Sequence, residues 1–296
     1  MKSKSIPWTR IFFNKECPCG SQKKSYECCW KGNGCWEKLP VGIITGNTGS
    51  FAHEKCYASP LKGCGQKITR EHFLSRNILE KVVPTSTVRF ENAGHFFGGK
   101  NQVDISIDDF SSKVLCDSHN SALSVLDTAA KNAFSTIEKI GHAALRKNAP
   151  ESPERSFHLS SGIDMERWMI KVYCGLVAAK KIRGQAGTLV QRSDLEPRML
   201  PALFGTNPLP SPLGLYVQTF VGQNLTPGNL SFSTIKLTDG SDDVGGLILT
   251  LGVMDLVLIT SPKYGHAFKN PNWYRRQTVV FGVREGSARL GYLFTY

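Results

Sequence analysis

Apolar residues recur near helical spacing between Ala122 and Leu145, where Leu126, Ala130, Phe134, Ile137 and Ala144 fall in step. Pro150 forbids continuation, and Asn120 or Ser121 can cap the start. An amphipathic helix is predicted from about Asp164 to Ile182. Acidic Asp164 and Glu166 open it, and Lys180, Lys181 and Arg183 close it, as the helix dipole favours. A shorter helical pattern, Phe73, Leu74, Ile78 and Leu79, follows His72. Beyond residue 210 the pattern changes to short apolar runs at 213–221, 230–237, 247–251, 253–260, 278–283 and 289–295, punctuated by Gly-, Pro- and Asn-rich turns. The run from Val244 to Thr260 is broken by Gly245, Gly246, Gly252 and Asp255, so it reads as two buried strands rather than a membrane span. The expected fold class is α+β, with a C-terminal, mostly antiparallel sheet packed against one or two helices.

The chain of 296 residues is long enough for two modest domains, or one with appendages. Gly42 to Ser50 reads as a flexible joint, and residues 148–156 are polar and carry proline. The expected units are therefore a small module over 1–40, a second unit over 51–148 and an α+β domain over 157–296. Met1 to Trp8 lacks the apolar run of a secretory signal, and no later segment is apolar over a membrane's width. The expectation is a cytoplasmic chain with no membrane partner. The net charge of +12, of which +5 falls in residues 1–40, favours a polyanionic partner such as nucleic acid.

Nine cysteines with no export signal argue for metal ligation over a disulfide framework. Cys17, Cys19, Cys28 and Cys29 form one set of four, the number a closed tetrahedral Zn2+ site needs. In Cys17-Pro18-Cys19-Gly20, Pro18 fixes one torsion and Gly20 frees the next amide to approach sulfur. Cys35 could substitute in this set. The stretch Cys17 to Trp30 closely resembles the SEC-C motif, known from the tail of the bacterial preprotein translocase ATPase. Gln22 and Trp30 stand where glycine is commoner. The resemblance implies structural zinc and a docking surface, open to a protein partner, without catalysis. Cys174, within the apolar stretch Trp168 to Ala179, is expected to be core.

The second set is Cys56 and Cys64, completed by Cys116 and His119, with His53 as a competing ligand. Zinc joining these pairs would close residues 65–115 into a loop, and inside that loop stands Glu71-His72, a carboxylate beside an imidazole. With Ile68-Thr69-Arg70-Glu71-His72 and Leu115-Cys116-Asp117-Ser118-His119-Asn120, the arrangement resembles the HNH, or ββα-metal, endonucleases, a treble-clef zinc fold. The resemblance covers Cys56 to about Ala130. It implies that His72 is a general base, that Glu71 replaces the usual aspartate ligand of a catalytic Mg2+ or Mn2+, and that Asn120 takes the place of the final Asn or His. The middle Asn of the motif has no counterpart, Ser111 and Ser112 standing there.

Phosphodiester hydrolysis needs a water that loses a proton, which an imidazole accepts near neutral pH, and a cation to offset charge on the phosphate oxygens. The expected function is thus a metal-dependent endonuclease acting on DNA, of a kind suited to phage or mobile-element defence. The alternative is a noncatalytic, zinc-stabilised adaptor for nucleic acid or protein. Each residue also has a plainer reading: His72 as a surface histidine or a replacement zinc ligand, Glu71 as a helix-start acid, Asn120 as an N-cap, Asp127, where classical members of the family carry another ligand, as a solvated carboxylate, and His95, in a loop able to approach a phosphate backbone, as part of a glycine-rich turn. Tyr264 to Arg276 gathers Tyr264, His266, Lys269, Trp273, Tyr274, Arg275 and Arg276, a basic and aromatic set able to stack bases, or else a hairpin connection.

Overall fold

Residues 162–178 carry apolar side chains on most sides, with Asp164, Glu166, Arg167 and Lys171 among them, and the rest of the chain covers this helix almost completely. The computed structural model describes residues 16–17, 21–32, 35–36, 42–43, 49–82, 87–91, 102–145, 156–184, 186–195, 197–205, 207, 209–219, 230–236, 243–251, 254–263, 273–275 and 279–283. In chain order the elements are β1 (Trp30–Gly32), β2 (Cys35–Trp36), β3 (Ile68–His72), α1 (Arg76–Val82), β4 (Thr87–Glu91), β5 (Gln102–Ser106), β6 (Ser111–Cys116), α2 (Asp117–Leu145), β7 (Ser156–Ser160), α3 (Gly162–Ala178), α4 (Met199–Phe204), β8 (Gly214–Thr219), β9 (Leu230–Lys236), β10 (Val244–Leu251), β11 (Met254–Ile259), β12 (Trp273–Arg275) and β13 (Val279–Val283). The class is α+β with antiparallel pairing throughout the strands.

The C-terminal sheet has the order β12-β8-β11-β10-β9. Along β10, Leu247 and Leu249 are buried while Ile248 and Thr250 are partly exposed, the alternation that lays one face of a sheet on a core. The run 244–260 is indeed two strands, β10 and β11, paired Leu249 to Leu256 and Ile248 to Val257. Gly246 is required there, because a Cβ would sit 1.9 Å from the Leu258 carbonyl oxygen. The expected strand at 289–295, the turn around His95 and most of the 264–276 loop lie outside the described residues; Trp273–Arg275 forms the edge strand β12.

The helix expected to be amphipathic, α3, is instead buried at every position from Gly162 to Val177 except Asp164. Ser161 caps it, accepting from the Asp164 amide at 3.1 Å. It lies between the sheet, against β8 and β11, and a layer made by α2, α4 and β6. Trp168, Met169, Ile170, Val172 and Cys174 are fully enclosed; a large apolar side chain so placed contributes about 1.5–3 kcal/mol. One continuous cluster of buried side chains runs from Cys56 to Ile259. The core therefore continues across the polar stretch at 148–156. Among the described residues, no helix is long and apolar enough to cross a membrane.

Candidate functional site

The segment before β3 and the first turn of α2 meet at four buried ligands. Cys56, Cys64 and Cys116 are fully buried and His119 is 1 % exposed. Their ligand atoms all lie within 4.8 Å of one another. His119 Nδ1 is 3.7 Å from Cys56 Sγ, 3.7 Å from Cys64 Sγ and 3.0 Å from Cys116 Sγ. A tetrahedral zinc at ordinary bond lengths sets such atoms about 3.5 Å apart. Backbone bonds shape the knuckle: the Cys64 amide donates to Phe51 O at 3.0 Å and the Gly63 amide to Gly49 O at 2.9 Å. Burial, with the neighbouring thiols, pushes the Cys56 thiol up to about 12 and raises that of Cys64. The Cys56 and Cys64 thiols so raised ionise together only around a cation, while burial lowers the His119 pKa and keeps its imidazole neutral, as a ligand must be. The donor set fits Zn2+. His53, the competing ligand, turns its Nδ1 to the Lys55 amide at 3.2 Å.

In the first set, Cys17, Cys28 and Cys29 bring their sulfurs within 4.8 Å of one another, around a short 3-10 turn at Ser25–Glu27. Cys19 lies outside the described residues, as does the side chain of Cys35. Cys28 Sγ is 3.2 Å from Ser21 Oγ. These three thiols can hold a metal ion, with a fourth ligand still to be supplied.

Strands β3 and β6 form the antiparallel pair that carries the predicted chemistry, and a bulge sets its register. Thr69 opposes Leu115 but Arg70 opposes Lys113, so Val114 is the extra residue; its carbonyl accepts the Tyr57 amide at 2.9 Å and ties the pair to the zinc knuckle. Beyond it Glu71 opposes Ser112 and His72 opposes Ser111. Successive side chains point to opposite faces. Arg70 and His72 thus share the outer face with Lys113 and Ser111, and Glu71 turns inward, 4 % exposed. Glu71 and His72, adjacent in sequence, do not converge.

His72 Nε2 is buried and has no hydrogen-bond partner among the described residues. Burial and the nearby Arg76 hold its pKa below the usual 6.5, so the ring is neutral at neutral pH. Asn120 sits inside the first turn of α2, which begins at Asp117 rather than at Asn120 or Ser121. The Asp117 amide donates to Lys67 O at 2.9 Å, carrying the pairing of β6 with β3 up to the first residue of the helix. Asn120 Nδ2 donates to Thr69 Oγ1 at 3.0 Å and to Arg70 O at 3.4 Å, stitching the helix to β3.

On the inner face a polar network crosses the core. Lys171 of α3 forms an ion pair with Glu71, and its Nζ lies 2.6 Å from Asp127 Oδ2. Ser75 Oγ donates to Asp127 and accepts Trp168 Nε1 at 3.1 Å. Asp127 is a partner of the buried Lys171 and not the solvated carboxylate expected. Burial raises the Glu71 carboxyl to about 7 despite the pull of Lys171, with Asp127 adding to the rise, because two carboxylates share one ammonium. Against the cost of its burial, those same carboxylates raise Lys171 and keep it charged. Glu71 so held offers no oxygen to the face that carries His72, and the residues as they stand do not fit a Mg2+ or Mn2+ bound there through Glu71.

Sequence reasoning missed Lys171, Ser75 and Trp168. The signal was present: a lysine inside the apolar stretch of α3 has to find carboxylates once buried. Arg192, also missed, donates to Glu54 O at 2.9 Å and to Cys56 O at 2.6 Å, gripping the knuckle from the C-terminal half. A pocket of about 500 Å3 near α3, α4 and the ends of β10 and β11, lined among others by Tyr173, Asp194, Met199, Asp243 and Thr260, contains none of the predicted site residues. Compared with known proteins, the chain matches no family model, no curated protein and no solved structure.

Proposed function

We propose that the chain is an HNH-type nuclease that hydrolyses phosphodiester bonds in DNA, with His72 as the base and the outer face of the β3–β6 pair as its working surface. The observation that carries the reading is the state of His72: a neutral imidazole with an unpartnered Nε2, at the end of a strand clamped by four zinc-type ligands. Once its buried Nε2 is uncovered to solvent, the imidazole takes a proton from a water whose oxygen attacks phosphorus, and the bond to the leaving oxygen breaks, that oxygen taking a proton from solvent. Asn120 acts on the strand, holding β3 to α2 through Thr69 and Arg70. The first cysteine set, read as a SEC-C module, is a zinc-held docking surface for a protein partner.

Purified protein incubated with plasmid and single strands, with Mg2+ or Mn2+ added, tests this. His72→Ala should lose roughly 100-fold or more of the cleavage rate. With the His72 pKa below 6.5, the rate should hold through neutral pH and fall only on the acid side. Cleavage undiminished in the variant removes the base assignment. The ion pair of Glu71 with Lys171 favours a second reading, a noncatalytic nucleic-acid adaptor, since it spends the carboxylate that a catalytic ion would need. That reading predicts DNA binding with no cleavage under either metal.

A further inference from the structure

We propose that Arg70 and Lys113 form a clamp for a backbone phosphodiester of DNA. The clamp rests on reading the outer face of the β3–β6 pair as a nucleic-acid face, but not on cleavage. The two residues are directly opposed across β3 and β6, and both are exposed. Directly opposed residues have Cβ atoms about 5 Å apart, and like charges so placed repel. Neither has a carboxylate partner among the described residues. Arg76, by contrast, meets Glu80 at 2.7 Å and Asp108 at 2.8 Å, and Lys263 meets Asp243 at 2.7 Å.

The bulge makes the choice of register explicit. Without the extra Val114, an even ladder continuing from Thr69–Leu115 would oppose Arg70 to Val114 and Lys113 to Glu71, an attractive pair. The observed ladder opposes Arg70 to Lys113 and leaves Glu71 to the core. Two cations held side by side without an acid make a site for a shared anion. A phosphodiester suits it: its two nonbridging oxygens accept a planar guanidinium fork and an ammonium together.

The frame is stiff where the clamp sits. Arg70 O accepts from Asn120, and Lys113 precedes Val114, whose carbonyl is bonded to Tyr57 beside the ligand Cys56. His72 lies two residues beyond Arg70 on the same face, about 7 Å along the strand. A backbone held at the clamp therefore runs past the imidazole.

The test is binding of a fluorescent DNA duplex to the full, zinc-loaded chain, without added Mg2+ or Mn2+, over a range of salt. Arg70→Gln and Lys113→Gln should each weaken binding about tenfold at low salt, and the double variant should lower the slope of log affinity on log salt by about two. Arg70→Lys should recover part of the loss. Thermal midpoints of the glutamine variants should equal or exceed that of the parent, because a repulsion has been removed. Unchanged affinity and slope in the double variant overturn the clamp, as does poly-glutamate competing as well as DNA. Cleavage assays of the same proteins separate the two claims. A lowered slope with no cleavage leaves the clamp and removes the hydrolase; cleavage with an unchanged slope does the reverse.

Discussion

Lys171 of α3 and Glu71 of β3 form an ion pair across the core, their side chains only 2 % and 6 % exposed. Two expected domains thus meet through a charge that water does not reach. Lys171→Met should cost about 3–5 kcal/mol in urea unfolding, because the buried Glu71 and the half-buried Asp127 are left without their cation. Adding Glu71→Gln should recover part of that cost. If the two losses simply add, the pair is not coupled and the network is not what joins the halves.

The same carboxyl makes stability depend on pH. Glu71 is raised from 4.5 to about 7, so between those values the folded chain keeps a proton that the unfolded chain has released. Stability should fall as pH rises through this window, by roughly 3 kcal/mol at most from this group. Denaturant midpoints at pH 5.5 and 7.5, compared between the parent and Glu71→Gln, isolate the contribution. The variant should be stabler relative to the parent at the higher pH, and an equal difference at both would exclude the shift.

Metal analysis should find about two zinc ions per chain if both cysteine sets are filled. Cys64→Ser should remove one ion and, with it, much of the stability of residues 51–145, since a closed zinc site contributes folding energy directly. Retention of both ions would show that Cys64 is not a ligand.

Asn120→Ala should cost about 1 kcal/mol by cutting the stitch from α2 to β3. In a cleavage assay the variant should lower the rate more than it weakens DNA binding. Weakened binding alone would place Asn120 with the substrate instead of with the strand.

Much of this was legible in the chain. The grouping of Cys56, Cys64, Cys116 and His119 was readable from chemistry and spacing, because three thiols and an imidazole supply the four donors that a tetrahedral zinc site takes. Strands β8, β9, β10 and β11 of the C-terminal sheet were readable from period and turns, and Cys174 as core from its apolar neighbours; β12 fell in the stretch read as a loop, and the run 278–283 became β13, which pairs with β7 outside that sheet. The division of labour between Glu71 and His72 was not. It depends on alternation along β3 combined with a one-residue bulge in β6, and no local pattern announces Val114 as the extra residue. The partner of Glu71 was equally hidden, since only the packing of α3 brings Lys171 to β3. The helix itself was misjudged as amphipathic because its polar residues, Glu166, Arg167 and Lys171, look solvent-facing in a sequence yet are buried here. Glu166 accepts the Leu209 and Leu215 amides at 3.1 and 2.8 Å, and Arg167 donates to Leu203 O at 2.8 Å.

A fragment ending before Ser156 would retain the second ligand set intact and still be stranded. It would present the apolar side that α3 normally covers, with two acids exposed on it and no ammonium to answer them. Supplying residues 156–296 as a separate polypeptide would be the natural remedy, which makes this protein a candidate for a split reporter whose reassembly is read by a dye leaving that apolar side.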